Sequence, residues 1–400
     1  MILNEYFQEV EGYKIPDLLM KALLSDNRET LLAYLKERTP DMNIDSLRDD
    51  YQNEHGDRDK LKQDFTPDDI AKIVRAIVGE SPVYADICAG TGALTIANMT
   101  GRDGYEVYCE EYSKRTIPFL LANLALRNVK GTVVNGDSLT GEVFATYTLT
   151  PTDTFSVVEQ AKTSALGGDT REVIMNPPYS LRWQPIPRPE YDGWPTLPNV
   201  GDYAFLLKGL SVGDRVTAIL PHGILFRGAK EGKLRQRLIE KNYIESIIGL
   251  PNNMFMNTSI PVLILVLNKN KNDDKVLFVD ASNDFEKAGK VNVMTKEQRD
   301  KLVAVVNSRL EVEKYSHLAT MEELKENDYN LNIPRYVDTF EEPPPIDIVN
   351  VMKELIDITK EEKKMEKEMA DMMADIVATD PSQADEWNEV IRLQKELSEL

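Results

Sequence analysis

From residue 64 onward the chain alternates short apolar segments with helix-like ones, and no other feature restricts its fold as much. "VYADICAG" (83–90) reads as a strand running into a glycine turn, and "ALTIANM" (93–99) as the helix that follows. "YEVYCEE" (105–111) is a second strand, ending in acids, and "RTIPFLLANLALRN" (115–128) a second helix. "GTVVNGD" (131–137) and "EVIMNPPY" (172–179) continue the series. Later, "VTAILP" (216–221) and "PVLILVLNK" (261–269) are strand-like, with "KLRQRLIEKN" (233–242) helical between them. Strands separated by helices imply βαβ crossovers and therefore a parallel sheet, so the fold class is α/β.

Two regions stand apart from this pattern. Residues 1–60 mix short helical patterns with very polar stretches such as "RDDYQNEHGDRDK", and read as a helical N-terminal segment ending in a solvated connector. After the proline break "FEEPPPID" (340–347), Leu355, Ile358, Met365, Met369, Met372 and Ile376 follow heptad-like spacing, with Glu362 at the polar seam position. Asp380-Pro381 interrupts the seam, and Trp387, Ile391, Gln394 and Leu397 resume at helical spacing. The expected division is therefore an N-terminal segment over 1–60, a catalytic domain over 61–340 and a helical docking tail over 341–400.

Composition narrows the function. No apolar run reaches the roughly 18 residues of a membrane span, and "MILNEYFQEVEG" lacks the basic and apolar regions of a signal peptide. Cys88 and Cys109 are the only cysteines, which points to a reducing cytoplasm and excludes a disulfide framework. Three histidines with no Cys/His cluster imply no metal site. The net charge of −20 opposes unaided binding to nucleic acid, so a partner has to supply much of any DNA affinity. The run "RGAKEGKLRQRLIEK" (227–241) is the basic exception, read first as a solvated helix face and second as a phosphate contact.

The glycine turn carries the cofactor argument. Asp86 ends a strand, and Gly90-Thr91-Gly92 turns into a helix, where glycines allow a ligand close to the backbone. Dinucleotide enzymes use G-x-G-x-x-G, and Thr95 at the third position counts against NAD. No lysine follows the glycines, so this is not a P-loop. Glu110 and Glu111 can accept from ribose hydroxyls and Asp137 from an adenine amine, which together describe a pocket for adenosine.

These residues resemble a class I S-adenosylmethionine-dependent methyltransferase. More narrowly, the chain resembles the modification subunit of type I restriction–modification systems, which are N6-adenine DNA methyltransferases. The segments that carry the resemblance are "DFTP" (64–67), "DICAGTGALTIA" (86–97), "NPPY" (176–179), "LPNNMFMNTSIPVLILVLNK" (250–269) and "YNLNIPRYVD" (329–338), and they span residues 60–340. The family more often carries proline and then threonine or alanine where Ile87 and Cys88 stand. It also usually has a longer N-terminal helical domain than the roughly sixty residues found here.

The resemblance implies a Rossmann-like sheet and S-adenosylmethionine as cofactor. It implies cofactor contacts from Phe65, Thr66 and Pro67, from Asp86, Ala89, Gly90, Thr91 and Gly92, and from Glu111, Asp137 and Ser138. It further implies DNA as substrate, a separate specificity subunit, a second copy of the chain and a restriction subunit as partners, and no membrane. Asn176, Pro177, Pro178 and Tyr179 are the expected catalytic residues. The Asn176 side-chain oxygen and the Pro177 carbonyl would accept both protons of an adenine N6 amine, with the proline pair fixing the backbone and Tyr179 stacking on the base. The base must first leave the duplex, and Trp183, Tyr191 and Trp194 in the 181–201 loop are candidates to support it. Two alternatives stay open from the residues alone. One is a methyltransferase of a protein glutamine or an RNA base, since Asn-Pro-Pro-Tyr suits planar nitrogens generally. The other is a non-catalytic assembly subunit.

Overall fold

Valine, isoleucine and leucine fill the short apolar segments, and they pair into one large twisted sheet. The structure, a computed structural model, describes residues 2–8, 10–55, 66–162, 172–256, 258–339, 347–377 and 379–399. The strands are β1 (Val83–Asp86), β2 (Glu106–Glu111), β3 (Gly131–Asp137), β4 (Glu142–Thr150), β5 (Val157–Ala161), β6 (Glu172–Met175) and β7 (Arg215–Pro221). They continue with β8 (Ile244–Gly249), β9 (Val262–Asn268), β10 (Val276–Asp280), β11 (Glu286–Ala288), β12 (Val291–Val293) and β13 (Ser316–Ala319). Eleven of them form one sheet in the order β13-β10-β8-β9-β7-β6-β1-β2-β3-β4-β5, and β11 pairs with β12 separately.

The helices are α1 (Ile2–Tyr6), α2 (Ile15–Leu23), α3 (Arg28–Glu37), α4 (Arg48–His55), α5 (Asp68–Ile77), α6 (Ala93–Met99) and α7 (Ile117–Leu126). They continue with α8 (Asp202–Val212), α9 (Ala229–Glu240), α10 (Lys296–Ser308), α11 (Met321–Glu326), α12 (Ile348–Ala374) and α13 (Ala384–Glu399). Residues 1–339 and 340–400 separate into two units.

The centre of the sheet is parallel, as the alternation of strand and helix predicts. β3, β2, β1, β6 and β7 run the same way. β9 differs, running antiparallel to both β7 and β8 between which it lies. The 250–261 connection from β8 carries no helix among its described residues, so there is no crossover of the kind that makes neighbouring strands parallel. This is the Rossmann-like α/β sheet expected from the sequence, enlarged at both edges.

The N-terminal helices are not a free-standing prelude. Leu19, Leu23, Leu31, Leu32, Leu35, Leu47 and Tyr51 pack into one buried cluster with Phe119, Leu121 and Leu124 of α7. The polar stretch expected as a solvated connector begins as α4, where Tyr51 is 1 % exposed and Asp50 is buried, accepting from the Leu3 amide at 2.8 Å. Tyr51 is the one apolar residue in the eight of α4, too little signal to reveal that buried face.

In the second unit α12 and α13 pack on one another, and Trp387 Nε1 donates to the Ile376 carbonyl at 2.8 Å. Leu355, Ile358, Met365, Met369 and Met372 of the seam remain exposed, as does Ile376 just beyond the helix.

β6 delivers Asn176 to its site, and a cationic clamp fixes the opposite end of that strand. Arg215 of β7 meets Glu172 of β6 at 3.4 Å and Glu245 of β8 at 2.7 Å, and donates to the Ile77 carbonyl at 3.0 Å. Burial raises the pKa of Glu172, and Arg215 opposes that shift. Arg215→Met leaves two neighbouring carboxylates without their cation. Urea unfolding is expected to show a loss of about 3 kcal/mol at pH 8. The loss should shrink toward pH 5, because a protonated Glu172 no longer needs the cation.

Candidate active site

Parallel strands end on a common edge, and the loops after β1, β2, β3 and β6 meet there around a cavity of about 540 Å³. Its wall includes Thr66, Ala89, Gly90, Thr91, Glu111, Asp137, Ser138, Asn176, Pro177, Pro178, Tyr179 and Trp183. Twelve of the candidate residues named from the sequence are thus brought together.

Gly90 and Gly92 have φ of 55° and 103°, the left-handed region that glycine enters without penalty. A Cβ on Gly92 would also lie 3.0 Å from the Leu120 side chain. Gly92 caps α6 and does not line the cavity. Asp86 is 2 % exposed beneath the turn, accepting from the Thr95 hydroxyl at 2.8 Å and the Cys88 amide at 3.4 Å. Thr95, which counted against a dinucleotide, therefore has its own task of holding Asp86.

The adjacent acids divide because successive strand residues face opposite ways. Glu111 lines the cavity and accepts from the Gly90 amide at 3.0 Å and the Ser113 amide at 2.7 Å. Glu110 points to the other face, bonded to Tyr108 at 2.8 Å, to Ser138 Oγ at 2.5 Å and to Lys208 at 3.3 Å. It is not a cavity residue. On Asp137, Oδ1 accepts from the Leu139 and Thr140 amides at 2.8 and 3.3 Å.

Asn176 leaves β6 with its amide held on both sides. Nδ2 donates to Thr66 Oγ1 at 3.0 Å, and Oδ1 accepts from the Tyr179 hydroxyl at 2.7 Å. Phe255 meets the Tyr179 ring edge-on at 6.1 Å, so the 250–269 segment backs Tyr179 without itself lining the cavity. Beyond Tyr179, Ser180 at φ 52° donates its amide to Asp202 at 2.8 Å. Asp202 is fully buried and accepts from Arg227 at 2.9 Å, and Arg227 also reaches Ser180 Oγ at 3.0 Å. Asp202 and Arg227 escaped the sequence reading because an acid opening a helix and a base in a charged run look like ordinary surface residues. The basic run is partly internal: Arg235 is 5 % exposed and donates to the carbonyls of Ile224, Arg227 and Tyr329.

The remaining candidates are dispersed. Tyr191 stands behind Trp183 at 6.0 Å, edge-on, and donates to the Leu139 carbonyl at 3.1 Å. Trp194 lies outside the cavity wall, against Tyr243 and Lys241. Pro67 belongs to a neighbouring cleft with Arg48, Lys72 and Phe255. Phe65 lies outside the described residues. Among the described residues no group of His, Cys, Asp or Glu side chains could hold a metal, and no helix is long and apolar enough to cross a membrane.

A model of N-6 DNA methylases matches residues 50–343, most of the chain. The chain belongs to that family. Similar curated proteins include the type I restriction enzyme MjaVII methylase subunit of Methanocaldococcus jannaschii, 30 % identical over 329 residues, covering 75 % of this chain and 54 % of the relative. The MpnII methylase subunit of Mycoplasma pneumoniae is 27 % identical, covering 75 % of this chain and 58 % of its own. The chain thus spans little more than half the length of these curated relatives. Among solved structures, a type I restriction–modification methyltransferase subunit from Streptococcus thermophilus superimposes with a TM-score of 0.63 at 30 % identity, over 83 % of this chain and 72 % of that one.

Burial raises the carboxyls of Asp86 and Glu111 to about 7, against the pull of their hydrogen bonds. Both groups bind more protons in the folded chain than in the unfolded one between pH about 4 and 7. Their contribution to stability therefore falls as pH rises across that window. The Thr95 hydroxyl favours the charged form of Asp86. Thr95→Val should move the Asp86 titration above its present value of about 7, as read by carboxyl carbon NMR. An unmoved titration would mean that the hydroxyl does not act on Asp86.

Proposed function

We propose that this chain is the methylating subunit of a type I restriction–modification system, moving a methyl group from S-adenosylmethionine to N6 of an adenine turned out of DNA. The observation that carries this reading is the opening of Asn176-Pro177-Pro178-Tyr179 into the same cavity as the glycine turn, Glu111 and Asp137. The cavity fits the cofactor in size and in chemistry. Gly90 offers a backbone without a side chain, Glu111 a carboxylate for the ribose hydroxyls and Asp137 a carboxylate for the adenine amine. Bound there, S-adenosylmethionine supplies an electrophilic methyl on a sulfonium.

The chain's own part is to aim the nitrogen. The N6 lone pair of adenine is delocalised into the ring. Acceptors at Asn176 Oδ1 and the Pro177 carbonyl would hold both N6 protons and favour a lone pair directed out of the ring plane. An amide oxygen can accept two hydrogen bonds, so the existing Tyr179 contact is compatible with this role. Thr66 keeps the amide in the required orientation. No strong base is needed, because the nitrogen becomes acidic once alkylated. Trp183 supports the extruded base from the far wall, backed by Tyr191.

Target choice falls to a separate specificity subunit, in an assembly that holds a second copy of this chain. The charge of −20 supports that division, since counterion release requires basic contacts and this chain is acidic on balance. The exposed methionine-rich face of α12 supports docking through the tail, methionine being adaptable at contact surfaces. The unpaired Cys88 and Cys109 support a cytoplasmic setting.

The chemistry is tested by Asn176→Ala in the reconstituted complex. Cofactor affinity by calorimetry should stay near wild type, while labelled methyl transfer to DNA falls on the order of a thousandfold. Transfer at the wild-type rate would rule out the proposed acceptor, and transfer to a peptide or RNA in preference to DNA would change the substrate. Deletion of residues 347–400 should preserve cofactor binding and abolish co-elution with the specificity subunit. Co-elution at full yield would assign the tail another role.

A further inference from the structure

Residues 41–51 contribute nothing to the cavity wall, yet they bond to three of the elements that build it. The first contact is behind the glycine turn. Asp45 is 5 % exposed and accepts from Thr91 Oγ1 at 2.5 Å, from Asn123 Nδ2 at 2.7 Å and from the Leu47 amide at 3.2 Å. Asn123 also donates to the Thr91 carbonyl at 2.9 Å, so Thr91 is held by side chain and backbone together. Arg127 secures the segment itself, donating to the carbonyls of Met42 at 2.7 Å and Ile44 at 2.6 Å.

The second contact is beside the catalytic loop. Arg48 donates to the Thr66 carbonyl at 3.1 Å and pairs with Asp68 at 2.8 Å. Thr66 is the residue whose hydroxyl accepts from the Asn176 amide. The third contact is on the ribose side. Tyr51, 1 % exposed, accepts from Thr116 at 2.8 Å and lies 3.5 Å from Ser113 Oγ, and the Ser113 amide donates to Glu111.

Apolar packing would hold the segment in place without any of this. Leu31, Leu32, Leu35 and Leu47 are already fully buried in the cluster with α7. Burying a carboxylate is costly unless its bonds are satisfied. The turn at Thr91 gains from that cost, because a loop held on its far side loses less freedom when a ligand settles on it.

We propose that Asp45 and Arg48 are positioning residues of the methyl-transfer site, Asp45 presetting the glycine turn for the cofactor and Arg48 holding Thr66 where it orients Asn176. The inference rests on the function proposed above and deepens it. It assigns the N-terminal segment a share in each half of the reaction, cofactor capture through Asp45 and nitrogen alignment through Arg48.

The test uses the full-length chain for binding and the reconstituted complex for transfer. Asp45→Asn keeps the shape and loses an acceptor; its dissociation constant for S-adenosylmethionine should rise about tenfold. Its kcat at saturating cofactor should stay within about twofold of wild type. Arg48→Met should do the reverse, with affinity within about threefold of wild type and kcat lower by about tenfold. Arg48→Lys, which keeps a donor for Thr66, should recover part of that loss. Should Asp45→Asn fail to fold, Asn123→Leu, at a position outside the cavity wall, removes the amide that joins Asp45 to the Thr91 carbonyl and should raise the dissociation constant in the same direction. Variants that lower only the unfolding midpoint, with wild-type dissociation constant and kcat per folded molecule, would overturn the proposal. A wild-type chain that binds no S-adenosylmethionine would overturn the functional reading as well, whereas tight wild-type binding matched by Asp45→Asn would overturn the positioning role alone.

Discussion

Parallel pairing of β3, β2, β1 and β6 is the constraint from which the rest of the site follows. It brings the carboxyl ends of four strands to one edge, so that residues as far apart in sequence as Ile87 and Asn176 share a single cavity. Each strand end then contributes one polar element: a glycine turn, Glu111, Asp137 and Asn176. The Arg215 clamp serves the same constraint from the opposite edge, where β6, β7 and β8 begin.

The strand ends do not finish the site unaided. Asn176 has its amide fixed by Thr66 and Tyr179, and the backbone after Tyr179 is turned by Asp202 with Arg227. The Asn176 amide and the turn after Tyr179 are thus each held by neighbours fixed in their turn. That is the arrangement preorganised dipoles require, because a dipole that must reorient during reaction stabilises less.

Much of this was legible in the sequence where local pattern decides the outcome. β1, β2, β3, β6, β7 and β9 all fall within segments marked by short runs of apolar residues, and the glycine turn and Asn-Pro-Pro-Tyr mark their own loops. Orientation and partnership were not legible. Nothing local distinguishes Glu110 from Glu111, since only the pairing of β2 within the sheet decides which carboxylate faces the cavity. β9 reads like its parallel neighbours because burial on both faces produces the same apolar run in either direction. Asp45 sits in the polar stretch "NIDSLRDD", where one buried carboxylate looks like its solvated neighbours. Trp194 looked like a base platform only because aromatic residues in a long loop resemble one another until packing separates them.

The knot at Asp45 also bears on how sequences of this kind can drift. One carboxylate receives a hydroxyl from Thr91 and an amide from Asn123, positions 46 and 78 residues away. Replacing any one of the three alone leaves a buried donor or acceptor without its match. Replacing all three with apolar groups of similar shape removes the mismatch among the side chains but still leaves the Leu47 amide and the Thr91 carbonyl without the partners they have now. The three side chains are therefore coupled across the chain, so an N-terminal segment carrying another residue at position 45 would arrive mismatched to the turn it has to support.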